Sequence, residues 1–167
     1  ALLLFFELEL NRIDDAALNE SMRVPALAHY RPWIENLRME KPYQLDDRIE
    51  ELFLEKSQTG AMAFNRLFDE TIAGLRFVVD GEDLALEPTL NLMVSPDEER
   101  RRAGAEALGK TFKENLRVFT LITNTLAKDK EISDRWRGFK DVADSRHLAN
   151  RVEPEVVAAL VATVRAA

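Results

Sequence analysis

The two histidines of this chain, His29 and His147, are the residues that most readily suggest metal or acid–base chemistry. A zincin helix needs the pattern His-Glu-x-x-His, because that spacing puts two ligands on one helical face with a general base between them. His29 is followed by Tyr30 and His147 by Leu148, so the motif is absent from this sequence. Asp144 lies three residues before His147, but a metal site requires three or four converging ligands. We therefore interpret His147 as a loop histidine that bonds the backbone, and predict no catalytic, cofactor-binding or metal-binding residue in this chain.

Acidic pairs occur where helices are expected to begin, namely Asp14–Asp15, Asp46–Asp47 and Glu50–Glu51. Carboxylates at a helix start cap free amides and favour the helix dipole. We therefore expect these acids to cap helices or lie on solvated faces, rather than to work as acid–base pairs.

Arginines and aromatic residues also have simpler explanations than a binding site. Arg100–Arg102 could hold a phosphate, but Asp97–Glu99 on the same helix can neutralise them. The aromatic residues that recur at helical spacing are expected in the core: Phe64, Phe68, Phe112 and Phe119. No phosphate-binding loop or nucleophile elbow occurs.

Composition limits the classes of protein that fit. The chain has 167 residues, a formal net charge of −7 and no cysteine. An acidic chain is poorly suited to nucleic acid or anionic lipid. The lack of cysteine excludes disulfides and cysteine-ligated zinc, and it fits the cytoplasm. The longest apolar run, Val156–Ala162, is far shorter than the roughly 20 residues that span a membrane.

Apolar spacing predicts a mostly α fold, an irregular bundle of about seven helices with one small β-hairpin near residues 76–87. Asp80–Gly81 supplies the hairpin turn, because tight turns of this kind need positive φ angles. Two capping patterns predict helix starts. One is formed by Asp47 with Glu50, and the other by Ser95 with Pro96 and Glu98.

Apolar spacing predicts a long helix that begins at Ser95–Pro96 and runs through Leu126, with an extension to Gly138. Gly104 and Gly109 lie inside it, where glycine indicates close packing against another helix.

Both ends of the chain are apolar and lack helix caps. From Leu2–Phe6 and Val156–Val164 we expect a single helical lobe, residues 1–167, truncated at both ends from a larger chain. Exposed apolar helices of this kind predict self-association of the isolated chain.

A series of short segments, in order, resembles the amino-terminal region of oligoendopeptidase F, in the thimet-oligopeptidase-like family of zinc metallopeptidases. The resemblance runs from about Phe6 onward, and its order along the chain is what makes it specific. Its segments are Tyr30-x-x-Trp33 with Arg38 and Pro42, Glu50-x-x-x-Leu54-Glu55-Lys56-Ser57-x-Thr59-Gly60, Ala63-Phe64-x-Arg66-Leu67-Phe68-Asp69-Glu70, Val79-Asp80-Gly81, Asp97-x-x-x-Arg101, Asn124-x-x-Ala127-x-Asp129-Lys130 and Ser145–Asn150.

The resemblance implies the non-catalytic lobe of a cytoplasmic peptidase that hydrolyses oligopeptides. In that family the zinc ligands and the catalytic glutamate lie in the carboxy-terminal half, so no site residue transfers to this chain. The lobe is expected to wall the substrate channel, to need the missing catalytic half, and to perform no hydrolysis alone. An autonomous helical protein–protein interaction module is the alternative.

Overall fold

The computed structural model describes residues 3–167, and this part of the chain is mostly helical with one antiparallel hairpin. The predicted fold class is confirmed. The helices are α1 (Leu4–Arg12), α2 (Asp15–Ser21), α3 (Pro25–Ala28), α4 (Arg31–Arg38), α5 (Asp47–Ser57), α6 (Ala61–Gly74), α7 (Leu86–Leu92), α8 (Glu98–Glu114), α9 (Leu116–Arg137), α10 (Asp144–Asn150) and α11 (Pro154–Ala166), and the strands are β1 (Phe77–Val79) and β2 (Glu82–Leu84).

The chain divides into two compact units. The first unit comprises the residues up to Lys56 together with those from Lys130 onward, and the second unit comprises Ser57–Asp129. The expectation of one lobe over residues 1–167 stays a prediction. None of the helices described between residues 3 and 167 is long and apolar enough to cross a lipid bilayer.

A small apolar cluster lies at the centre of the first unit. Leu18 of α2, Met22 and Ile34 of α4 are buried against one another, and Leu10 of α1 packs on them. Pro32 lies in the first turn of α4, where its missing amide costs no helical hydrogen bond. A 3-10 turn at Lys41–Tyr43 leads from α4 towards α5.

The hairpin supplies the core of the second unit. Phe77, fully buried, pairs with Leu84 across the strands and packs with Val79 and with Ala107 of α8. Asp80 and Gly81 have φ angles of 52° and 87°, which confirms the predicted Asp-Gly turn.

Two predicted helix caps are shifted by one or two residues. Asp97 rather than Ser95 caps α8, since its carboxylate accepts a hydrogen bond from the Glu99 amide at 2.9 Å. Asp46 rather than Asp47 caps α5, because its carboxylate accepts from the Arg48 amide at 3.0 Å. In both places the capping residue is the aspartate immediately before the first helical residue.

The predicted long helix is in fact two helices. α8 ends at Glu114, where the Asn115 side chain donates to the Thr111 carbonyl at 2.9 Å, and α9 begins at Leu116. α9 then ends beside Gly138, which has the positive φ of 81° that suits a helix end. Breaks of this kind, and the short helices α2, α3 and α10, explain why eleven helices are described where about seven were expected.

Candidate functional site

The two histidines lie apart from any metal-binding arrangement. His29, at the end of α3, stands edge-on to the Tyr30 ring with centroids 5.3 Å apart. His147 lies on helix α10 and not in a loop, so that expectation is wrong. The first residue of α10, Asp144, accepts hydrogen bonds from the amides of Asp141 at 2.9 Å and Lys140 at 3.1 Å. Those bonds hold the pKa of Asp144 below its ordinary range.

The residues present do not fit a zinc ion. Among residues 3–167, no three histidine, aspartate or glutamate side chains are grouped closely enough to hold a metal, and the sequence has no cysteine. The zinc that the family resemblance implies therefore has no ligand set in the described part of this chain.

The acidic pairs separate into two kinds. Asp14 caps α2, since its carboxylate accepts from the amides of Ala16 at 2.9 Å and Ala17 at 3.3 Å, as predicted. Glu50 differs, because only 8% of it is exposed. The prediction that Glu50 caps a helix or lies on a solvated face is therefore wrong, because its side chain is buried in an ion pair.

Glu50 forms a bidentate ion pair with Arg137, the last residue of α9. Arg137 Nη1 donates to Glu50 Oε1 at 2.6 Å, and Nη2 donates to Oε2 at 2.8 Å. The Leu45 amide donates to Oε1 at 2.9 Å, and Arg137 also donates to the Tyr43 carbonyl at 3.2 Å. The guanidinium lies 5.7 Å from the Phe53 ring centroid. Buried charges of this kind are paired and hydrogen-bonded because desolvating either one alone is costly.

The pKa of Glu50 reflects opposing effects. Burial raises this pKa. The hydrogen bonds from Arg137 and from the Leu45 amide, together with the Arg137 charge, lower it by more than burial raises it. The result is a pKa below the ordinary value of glutamate, so Glu50 is charged at neutral pH. It does not have the raised pKa that would suit a general acid.

A cavity of about 360 Å³ lies beside this ion pair in the first unit. Its polar lining includes Glu7 and Asn11 of α1, Gln44, Asp134 and Ser145. Leucines and Phe139 complete the wall.

Lys130 stands next to this cavity in an arrangement that superficially resembles a serine–lysine catalytic pair. Its ammonium donates to Ser145 Oγ at 2.8 Å, to the Val142 carbonyl at 2.8 Å and to Asp134. An ammonium has three donors and no lone pair, so all of its hydrogen-bonding capacity is used. The arrangement fixes α9 to α10 and lacks a base that could activate Ser145.

The second unit carries an apolar groove of about 640 Å³. Phe112 and Phe119 form its floor, with ring centroids 5.8 Å apart, and Phe68 stands 6.0 Å from Phe119. Phe112 also packs on the buried Phe77 at 5.5 Å. None of the four aromatics expected in the core is fully buried. Phe112 packs against the buried cluster around Phe77; Phe64 and Phe119 are half-buried, and Phe68 is 43% exposed.

Other exposed apolar residues lie on the terminal helices. Phe5 and Phe6 of α1 are exposed, and so are Val156, Leu160 and Val164 of α11. Leu2, which belongs to the same predicted apolar end, lies outside the described residues. The exposed apolar surface expected at the amino-terminal end is present at Leu3, Phe5 and Phe6.

One arginine of the Arg100–Arg102 cluster is neutralised on its own helix, as predicted, and a second bonds backbone carbonyls instead. Arg102 pairs with Glu98 at 2.9 Å, and Arg101 donates to the carbonyls of Ser95 and Pro96. These contacts hold the start of α8 rather than an anionic ligand.

Residues 9–77 match the family model for the amino-terminal domain of M3 peptidases, described as oligopeptidase F. This segment is similar to the amino-terminal domain of oligopeptidase F. The oligopeptidase F segment contains the Tyr30–Trp33 and Ala63–Glu70 stretches that carried the resemblance, which is confirmed over these residues. No curated protein and no solved structure matches the chain.

The oligopeptidase F segment includes Glu50 but not its partner Arg137. Sequence reasoning missed this pair, since nothing near Glu50 in the sequence distinguishes it from other helix-start acids. The only available signal was its place one turn into an amphipathic helix, on the side of Phe53 and Leu54.

Proposed function

We propose that this chain is the non-catalytic, amino-terminal lobe of a cytoplasmic zinc-dependent oligoendopeptidase, where it walls the channel through which oligopeptides reach the catalytic site. The match of residues 9–77 to the oligopeptidase F model carries this proposal. It supports membership in a peptidase, and the role in substrate access follows from the family resemblance.

The chemistry of the chain supports a non-catalytic role. It has no His-Glu-x-x-His motif, and residues 3–167 bring together no metal-binding group. Hydrolysis would then depend on zinc ligands and a general base that belong to a separate catalytic portion. The chain would contribute shape and surface, and no step of the reaction.

The buried ion pair supports a rigid wall. Glu50 and Arg137, 87 residues apart in sequence, join α5 to the end of α9, and the Tyr43 and Phe139 rings stack beside them at 4.0 Å. A channel can exclude folded proteins only if its wall resists deformation. Several independent contacts between distant segments provide that resistance.

The experiment compares two proteins on two substrates. The chain alone, with added zinc, should not cleave a fluorogenic nonapeptide. The chain joined in one polypeptide to a zinc-binding peptidase portion should cleave the free nonapeptide but not the same sequence inside a folded carrier domain. Zinc-dependent cleavage by the chain alone, or equal cleavage of the free and embedded sequences, would refute the proposal.

An autonomous interaction module is the second candidate, and the exposed apolar residues of α11 favour it. A module that folds by itself should unfold in one sharp transition whether or not any other polypeptide is present. Coincident thermal transitions by circular dichroism and calorimetry would support the module. A broad or multiphasic transition that sharpens when the catalytic portion is joined would support the peptidase lobe.

A further inference from the structure

We propose that the apolar groove of the second unit receives helix α11 from a second copy of this chain. The groove is a concave apolar surface and α11 is a convex one, and each is complete within its own unit. This contact differs from a pairing of α11 with α11, because the two copies contribute different surfaces to it. It would form whether or not the chain belongs to a peptidase, since it depends only on these two surfaces.

Helix α11 is formed with little of the chain packed over it. Among its described residues, Pro154–Ala166, none is buried and Val157 alone is half-buried. Its charged residues are Glu155 and Arg165, near its two ends, and most of the residues between them are apolar. An isolated helix of this length is marginal in water, and a helix that is apolar on most sides is normally buried. A packing surface from outside its own unit would therefore stabilise α11.

The exposed side chains of α11 form a row that suits a groove. Val156, Leu160 and Val164 are 56%, 63% and 68% exposed, and they follow one another at intervals of four residues. Residues at this spacing lie along one face of a helix, here over a length of about 12 Å. Apolar residues at four-residue intervals are the anchors by which an amphipathic helix enters an apolar groove.

The groove is bounded by helices α6, α7, α8 and α9 of the second unit and has a volume of about 640 Å³. Phe112 and Phe119 form its floor. Three large apolar side chains of its lining are exposed: Phe68 by 43%, Leu90 by 41% and Leu116 by 59%. A group of exposed apolar side chains around a concave surface is typical of an interaction site.

Charge complementarity favours α11 as the occupant and gives its direction. Lys113 lines the groove and is exposed. Glu153, the residue before α11, lies seven residues before Leu160, so it is two turns away over the same face. Within residues 3–167, neither Lys113 nor Glu153 takes part in an ion pair. An exposed pair between them would add little affinity, but it would orient the helix with its first turn near Lys113.

A second copy of the chain supplies a groove and a helix in equal number. If each copy inserts α11 into the groove of the other, the assembly closes as a dimer, whereas a one-way contact continues into longer chains. In both cases, loss of either surface should abolish association of identical copies.

The test is sedimentation of the full chain at tens of micromolar, with one variant for each surface. The helix variant carries Leu160→Lys with Val164→Lys, and the groove variant carries Leu116→Lys. Each variant alone should associate at least about tenfold more weakly than the wild-type chain, because a buried lysine replaces an apolar anchor. An equal mixture of the two variants should form heterodimers, since one retains the groove and the other retains the helix.

Two further variants separate this contact from general effects. Leu121→Lys makes the same change on α9 at a residue that is 54% exposed and lies outside the groove, so it should leave association unchanged. Lys113→Glu should weaken association about threefold, the effect of one exposed ion pair, and the addition of Glu153→Lys should restore it.

Four results would overturn the proposal: a monomeric wild-type chain, undiminished association of the groove variant, equal weakening by Leu121→Lys and Leu116→Lys, or no heterodimer in the mixture. Undiminished association of the groove variant would mean that α11 pairs with another surface, such as a second α11. Circular dichroism shows whether each variant is folded, so a loss of association can be separated from a loss of structure. Failure of this contact would leave the peptidase proposal intact, since that is tested by cleavage.

Discussion

Arg137 is the residue whose replacement should cost the first unit most, because it neutralises the buried Glu50. Arg137→Met should lower the free energy of unfolding by about 3–5 kcal/mol, since it leaves an unpaired charge among buried groups. Urea unfolding followed by circular dichroism measures this change.

The double variant Glu50→Leu with Arg137→Met is the matched control. It removes both charges, so it should recover a large part of the lost stability. A double variant that is no more stable than Arg137→Met would show that packing, rather than the unpaired charge, is responsible.

The same pair predicts a dependence on pH. The pKa of Glu50 is lowered in the folded chain, so its stabilising contribution is present above the unfolded glutamate pKa and is lost as pH falls through the folded value. In Arg137→Met the unpaired Glu50 should instead have a raised pKa, and protonation should favour the fold. The stability difference between the two proteins should therefore shrink between pH 7 and pH 4, and a constant difference would contradict this account.

Residue-level roles were only partly predictable from the sequence. Asp14 could be recognised as a cap, because capping depends on neighbours two or three residues away. Glu50 could not be recognised as a buried partner, because its cation lies 87 residues away and only the fold brings the two together. The cavity beside them was equally out of reach, since it is lined by residues of α1, α4, α5, α9 and α10.

At the scale of elements, the contact of α8 with α7 depends on Gly104. A Cβ at this position would lie 2.9 Å from Leu92 Cβ and 3.4 Å from the Thr89 carbonyl oxygen. Gly104→Ala should therefore destabilise the chain by about 1–3 kcal/mol, although alanine is the better helix former. Thermal unfolding measures the change.

Gly109→Ala on the same helix is the control, because nothing lies within 4 Å of a Cβ there. It should raise stability by up to about 1 kcal/mol through helix propensity alone. The sequence-based expectation that both glycines mark close packing is thus correct for Gly104 and wrong for Gly109. Opposite signs for the two substitutions would confirm the contact, whereas two increases would contradict it.

The start of α8 gives a second prediction for an element. Asp97→Ala should cost about 1 kcal/mol, because the cap on the Glu99 amide is lost. Ser95→Ala should cost only a few tenths, since Ser95 accepts a longer bond, 3.2 Å, from the Asp97 amide outside the helix. Equal losses in urea unfolding would indicate that Ser95 and Asp97 share the capping role.

The elements that sequence predicts well are those fixed by local chemistry. The Asp80–Gly81 turn and the helix end at Gly138 each depend on residues within one turn. The break at Asn115 was missed because the apolar spacing continues through it. At this break the Asn115 side chain bonds the Thr111 carbonyl, a local contact that the hydrophobic pattern does not reveal.

For the whole molecule, we predict that the isolated chain self-associates through α11. Leu160 is 63% exposed and Val164 is 68% exposed on one face of this helix. Leu160→Lys with Val164→Lys should shift sedimentation towards the monomer at tens of micromolar protein. The wild-type chain behaving as a monomer under these conditions would count against the prediction.

Ala162→Lys adds a lysine to the same helix on the opposite face, as follows from the 100° rotation per residue. This control should leave the association state unchanged. If it disrupts association as strongly as the double variant, the effect is one of net charge rather than of the apolar face.

The fold class could be predicted at this scale because helical spacing extends over much of the chain, and the resemblance to oligopeptidase F is matched over residues 9–77. The division into two units could not, since α9 runs without a break from one unit to the other and no linker composition marks the boundary.

The central claim, that this chain is the access-limiting lobe of an oligopeptidase, is tested most directly by reading the coding sequence that flanks it. The account predicts an open frame that continues beyond Ala167 and encodes a His-Glu-x-x-His motif. A frame that closes soon after Ala167 without this motif would contradict the claim.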